Sequence, residues 1–248
     1  MMIASLMMYQ RPQLLGAHKR YWALIRQNLR QAGIDSPEQL SQEAEEFFVW
    51  QHPELVLSQT CGMPYRTWLH DKVELVGTPD FGISDCPPGY YRSALVVRAQ
   101  DSRQTAGDFR DAVFAYNQSF SQSGYAAPWW HLRPRGLWFE NRLHTEQHLD
   151  SARAVAGGRA DIAALDAVTW RLMLEYEPFA TSLRVLEWTA PTPGLPLITA
   201  KGNDAGAIFA AVKQAIAQLD KTDRTALGLK GIVKIDAAEY LAVNNPDT

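Results

Sequence analysis

Short apolar runs alternate along this chain with segments whose apolar residues recur every three or four positions. Met2 to Met8 is such a run, and after Pro12 the residues Leu14, Tyr21, Trp22, Ile25 and Leu29 follow at helical spacing until Gly33. The pattern predicts strand, loop, helix. ELVLSQT (54–60) reads as the next strand, CGMPYRTWLHD places Pro64 near the start of a helix, and VELVGTPDF (73–81) is strand-like again. Repeated units of this kind predict an α/β fold with parallel strands and helices on the faces of the sheet.

The same grammar restarts further on. YYRSALVVRAQ (90–100) is a long β-rich run, the charged segment 101–111 follows, and AVFAYN (112–117) opens a second block. That block contains a helix from Ser123, a weakly patterned stretch 129–138 interrupted by Pro134, a helix over 148–156, the strand ADIAALD (160–166) and the helix AVTWRLMLEYEP. A second extended run, 183–201, carries Pro191, Pro193, Gly194 and Pro196, and this density reads as a connector passing between domains more than as a central strand. The tail holds an amphipathic helix, 204–219, with Ile208, Phe209, Val212, Ile216 and Leu219 on one side. Two lobes are therefore expected. Residues 1–97 and 190–248 form lobe 1, residues 98–189 form lobe 2, and the two connector strands leave a cleft suited to a small ligand.

Composition narrows the class. The 248 residues are 46% hydrophobic and 21% charged with eight tryptophans, which is a well-packed globular chain. A net charge of -3 disfavours a nucleic-acid partner and an anionic membrane surface. No run nears the roughly 20 apolar residues that span a bilayer. His144 and His148 stand four apart, yet the residues separating them do not make the HExxH zinc signature, and no metal or cofactor is expected. The two cysteines, Cys61 and Cys86, lie outside any CxxC motif; one disulfide or two thiols both remain open. The opening MMIASLMMYQRPQ lacks a basic leader and a small-residue cleavage site, so it is expected to be a first strand.

Candidate chemistry sits at the carboxyl ends of the strands, where α/β lobes bind ligands. The first strand delivers Met8 and Tyr9, and the second delivers Ser58, Gln59, Thr60, Cys61 and Gly62. In the second lobe one strand delivers Asn117 to Gly124 and another delivers Asp166. The loop YNQSFSQSGYAAP (116–128) has more hydroxyls and amides than a helix cap requires. Ser121 or Ser123 can cap the helix, Gly124 admits a bound group close to the backbone, and the N–H groups of a helix start favour an anion. Taken alone, the loop reads first as a serine-rich cap. Asp166 is equally a helix N-cap and a ligand contact. There is no GxSxG elbow and no P-loop lysine, while a thiol enzyme built on Cys61 stays open.

Five segments occur together in a characteristic order: SQTCG, YYRSALVVR, NQSFSQSG, AVAGGRADIAALDAVTW and LEWTAPTPGLP. In this the chain resembles the phosphate/phosphite/phosphonate substrate-binding proteins of ABC transporters, a branch of the type 2 periplasmic-binding-protein (Venus flytrap) fold, over roughly residues 2–200. The resemblance implies a monomeric two-lobed solute binder that closes on a small phosphorus oxyanion and serves an ABC permease. It places Ser121, Gln122, Ser123 and Gly124 on the phosphonate oxygens with Tyr91 beside them. It places Asp166 against a ligand amine, and brings Thr60 and Cys61 from the first lobe. Gln122 stands where relatives often carry a serine or threonine. The family is usually exported, whereas this chain opens on a strand, so periplasm and cytoplasm both stay open. An enzyme or a ligand sensor on the same fold is the alternative.

Overall fold

The computed structural model describes residues 1–247. Its first part contains β1 (Ile3–Ser5), α1 (Leu15–Gln31), α2 (Glu46–Trp50), β2 (Leu55–Gln59), α3 (Gly62–Pro64) and β3 (Val73–Asp80). The middle contains β4 (Tyr90–Tyr91), β5 (Ser93–Arg98), β6 (Phe114–Tyr116), α4 (Ala127–Leu132), β7 (Arg142–His144), α5 (His148–Ala156), β8 (Ile162–Asp166), α6 (Ala167–Tyr176), β9 (Leu183–Trp188) and β10 (Thr192–Pro193). The last part contains β11 (Leu197–Ala200), α7 (Ala205–Gln218), α8 (Lys221–Leu227), β12 (Gly231–Val233) and α9 (Ala237–Leu241). Two units result. Unit 1 comprises Met1–Ser84, Pro88–Tyr90 and Pro193–Val243; unit 2 comprises Asp85–Pro87, Tyr91–Thr192 and residues 244–247.

Unit 1 is built on a five-stranded sheet in the order β1-β2-β11-β3-β12. β1 and β2 are parallel, with Ser5 opposite Ser58, and β11 runs antiparallel to both β2 and β3. The apolar stripe of α1, with Tyr21, Trp22, Ile25 and Leu29, meets Ile208, Val212 and Ile216 of α7 over this sheet. Polar ties fix the helices: Asn28 donates to Gln218 Oε1 at 2.8 Å, and Arg20 reaches both oxygens of Asp223 at 2.6 Å. The second half of the proline-rich run is not a connector. Its prolines stop at Pro196, so residues 197–200 keep every N–H group and β11 takes a central place in the sheet.

Unit 2 has the order β7-β6-β8-β5-β9. β6 is parallel to β7 and β8, while β5 runs antiparallel to β8 and β9. Both sheets are thus mixed within an α/β class, because strands that return to a sheet without a crossover helix must run the other way. One core packs Ala94, Val96, Ala163 and Leu165 under α5 and α6; the opposite face holds Phe109, Phe114, Leu132 and Phe139. Tyr91 lies in β4, which pairs with β10 as a separate two-stranded ladder.

His144 ends a strand and His148 opens a helix, so they do not share a helical face, and the described residues contain no metal-holding cluster. Cys61 and Cys86 are thiols with no bridge joining them.

On the edge strand β9, Glu187 accepts the Ala106 N–H at 3.0 Å and faces His131 Nε2 and Arg135 at 2.8 Å each. Burial raises its pKa, but hydrogen bonds from Arg135, His131 and Ala106 outweigh this and hold the carboxyl at about 2. A folded-state value below the unfolded one means stability fully present above about pH 4.5 and lost as pH falls toward 2. Glu187→Gln is expected to flatten the stability profile across that window. Acid titration of Tm for both proteins checks this, and parallel curves would remove Glu187 from the acid response.

Candidate functional site

The register of unit 2 brings its candidate residues to one end of the sheet. β6 and β8 are parallel, so Asn117 and Asp166 follow strand ends on the same side. β5 is antiparallel with Ser93 opposite Asp166, which puts Tyr91, two residues earlier, at that end as well. β7 pairs in parallel with β6, Tyr116 opposite His144, so α5 starts there too.

After β6 the chain turns at Asn117 and enters a helical run at Ser121, whose φ of -78° and ψ of 125° are the extended values of an N-cap. The Ser121 hydroxyl oxygen accepts the Gly124 N–H at 3.0 Å. The first turn, Gln122–Ala126, is a wide π-helical turn before α4 begins, a feature that recurs at functional sites. Asn117, Ser121, Gln122 and Ser123 are all buried. Such a concentration of buried polar groups at a helix start calls for partners. Ser123 finds one in His148, with Oγ 2.9 Å from Nε2. Asn117 Oδ1 has no partner among the described residues.

Gly124 is required by space. A Cβ at this position would lie 1.8 Å from Asn117 Oδ1 and 3.1 Å from His148 Cε1. The glycine therefore lets the Asn117 loop and the α5 start close around the turn. His148 is the residue that sequence reasoning missed as a partner of the serine loop. Its chain spacing to His144 drew attention to a metal, while the contact that matters joins residues 25 apart.

Asp166 acts as the N-cap of α6: Oδ1 accepts the N–H groups of Val168 at 2.7 Å and Thr169 at 3.0 Å. Its strand packs against the 122–126 turn. Tyr91 is 3% exposed.

Tyr9, Thr60 and Cys61 belong to unit 1, where they follow the carboxyl ends of β1 and β2. The Tyr9 ring meets Phe81 edge-on at 5.0 Å. Thr60 is fully buried; its N–H donates to Pro196 O at 3.0 Å, while Oγ1 has no partner among the described residues. Cys61 is the N-cap of α3 without a side-chain cap bond, and its carbonyl accepts the Tyr65 N–H. Two guanidinium groups, Arg11 and Arg66, are also buried in unit 1.

The family described as the periplasmic substrate-binding protein of phosphonate ABC transporters matches residues 70–240, more than half of the chain. The chain belongs to this family, which is one of binding proteins and not of enzymes. Among solved structures, PhnD1 from Prochlorococcus marinus in complex with methylphosphonate superposes with a TM-score of 0.72 at 16% identity, covering 96% of this chain and 94% of that one. A binding protein component of an ABC phosphonate transporter from Pseudomonas aeruginosa gives 0.67 at 15% identity, covering 96% and 82%. A Xanthomonas citri protein bound to ATP gives 0.69 at 16% identity, covering 96% and 92%. No curated protein matches in sequence.

Proposed function

We propose that the turn 121–124 of unit 2, with Asn117 and His148, holds the phosphorus oxyanion of a phosphonate that the chain delivers to an ABC permease. The observation that carries this reading is the set of buried polar side chains around Gly124 at a helix start. Hydroxyl donors and helix-start N–H groups suit an anion with several oxygens, and the positive end of the helix dipole adds to them. Ser121 keeps its hydroxyl proton available, since its oxygen is the acceptor in the bond to Gly124. His148 Nε2, 2.9 Å from Ser123 Oγ, orients that hydroxyl. Gln122 contributes an amide where a hydroxyl is usual, and Tyr91 flanks the end of the sheet. Asp166 serves first as a cap, so an ammonium group on the ligand is not required by the site.

A thermal-shift series with methylphosphonate, 2-aminoethylphosphonate, phosphite, phosphate and sulfate tests the reading. Ligand at 1,000 times its Kd stabilises by about 4 kcal/mol, a shift of roughly 8 to 16 °C for a chain of this size. A shift confined to phosphorus oxyanions is expected. Equal response to sulfate, or none to any phosphonate, would overturn it.

A further inference from the structure

The chain leaves unit 1 after Tyr90 and returns to it at Pro193, and β4 and β10, which span these two passages, pair as a ladder of their own. On the unit 1 side the two connectors are tied down. Gly194 donates its N–H to Gly89 O at 2.9 Å, and its carbonyl accepts the Tyr240 hydroxyl at 3.0 Å. The next two carbonyls are engaged as well, Leu195 O by Gln59 Nε2 at 3.1 Å and Pro196 O by the Thr60 N–H at 3.0 Å. All of these residues belong to unit 1.

Tyr240 stands at the centre of these ties. It is 1% exposed in α9, its ring meets Tyr65 edge-on at 5.1 Å, and its hydroxyl lies 2.6 Å from Thr78 Oγ1. A phenol has one proton and a carbonyl only accepts, so Tyr240 donates to Gly194 and Thr78 donates to Tyr240. Thr78 lies in β3 opposite Val233 of β12, so a run of hydrogen bonds leads from the sheet through Tyr240 into the connector. Space is tight around it. A Cβ on Gly194 would lie 2.6 Å from Gly89 O, and one on Gly89, whose φ is +79°, would lie 2.4 Å from Val233 Cγ2. The two glycines allow close packing at the root of the connectors, where rotation is blocked.

We propose that Tyr240 is a positioning residue for ligand binding: it clamps both connectors to unit 1, so that any turn of one unit against the other is taken up beyond Gly89 and Gly194. Units joined by connectors move relative to one another by default, and the hinge falls on residues free to change φ and ψ. Gly194, with its N–H and its carbonyl both engaged, is not free. Without the Tyr240 hydroxyl, the Gly194 carbonyl and the Thr78 hydroxyl lose a buried partner and the root loosens. The unliganded protein then gains conformations that binding must remove, so affinity falls although Tyr240 is not itself a ligand contact. The inference goes beyond the phosphonate reading and holds for whichever oxyanion is bound.

Amide hydrogen exchange and calorimetric titration with methylphosphonate, both on the full chain, test it. In the wild type the Gly194 amide is expected to be as well protected as the amides of β3. Tyr240→Phe keeps the ring and its contact with Tyr65. It should speed exchange at Gly194 at least about tenfold, the size of one buried hydrogen bond, while amides of α1 and β8 keep their wild-type rates. Its Kd for methylphosphonate is expected to rise about 2- to 30-fold, the range for residues that act on a ligand from a distance. Thr78→Val also removes a buried hydrogen bond but leaves Tyr240 tied to Gly194, so exchange at Gly194 and the Kd should stay close to the wild type. An unprotected Gly194 amide in the wild type, acceleration spread evenly over unit 1, or equal effects of the two substitutions overturns the inference. So does an unchanged Kd in Tyr240→Phe, which would make the tyrosine purely structural. Failure of the wild type to bind methylphosphonate overturns the phosphonate reading alone, and the clamp is then judged on the exchange rates.

Discussion

Replacing Ser121 and Ser123 together by alanine is expected to weaken methylphosphonate binding by about 100- to 10,000-fold. Each hydroxyl removed costs a hydrogen bond to a charged group, worth roughly 1.5–3 kcal/mol, and the two sum to about 3–6 kcal/mol. Folding suffers much less. The Ser121 oxygen caps the helical run through Gly124, and losing that cap costs about 1 kcal/mol. Tm should fall by only about 2–4 °C. The Ser123 bond to His148 leaves with it, but the His148 ring keeps its place at the start of α5. Calorimetry and a melting curve on the double variant separate the two effects. Affinity within tenfold of the wild type would show that the turn is a cap and nothing more.

Gly124→Ala is expected to damage the fold and the site together. The added methyl would overlap Asn117 Oδ1 at 1.8 Å and crowd Asn117 Cγ at 2.9 Å, so the Asn117 loop, α5 or the turn itself must move. Overpacking of this kind costs about 1–3 kcal/mol, a loss of roughly 2–12 °C in Tm. Because the atoms displaced are those proposed to surround the oxyanion, phosphonate affinity is expected to fall at least about tenfold beyond what the loss of stability explains. Gly231→Ala is the control: a methyl there meets nothing within 4 Å, and its stability and binding should match the wild type. Unchanged binding in Gly124→Ala would mean that the packing of Asn117 and His148 against the turn has no part in recognition.

Asp166 and the serine turn show how far local reading reaches. An acidic residue between an apolar strand and a helical pattern is a cap on sequence grounds, and Asp166 caps α6 through two backbone N–H groups. Whether it also meets a ligand is not a local question. Ser121 was likewise legible as a cap and Gly124 as a point of close approach. What the glycine makes room for was not, since Asn117 and His148 reach it from a strand end and from a different helix. Gln42 carried no signal at all. It lies in an acidic stretch without pattern, and only the fold brings its amide oxygen to the Leu6 N–H and the Ser5 hydroxyl at the end of β1.

The sequence by itself determined the α/β class, the positions of the longer helices and of several strands, and the polar turn at a helix start. These depend on contacts a few residues apart, through the periods of strand and helix and the chemistry of caps. The tertiary structure alone decided that β11 sits at the centre of its sheet and that His148 joins Ser123. The physical reason is that partners tens to more than a hundred residues apart are chosen by burial and register, which no local pattern encodes.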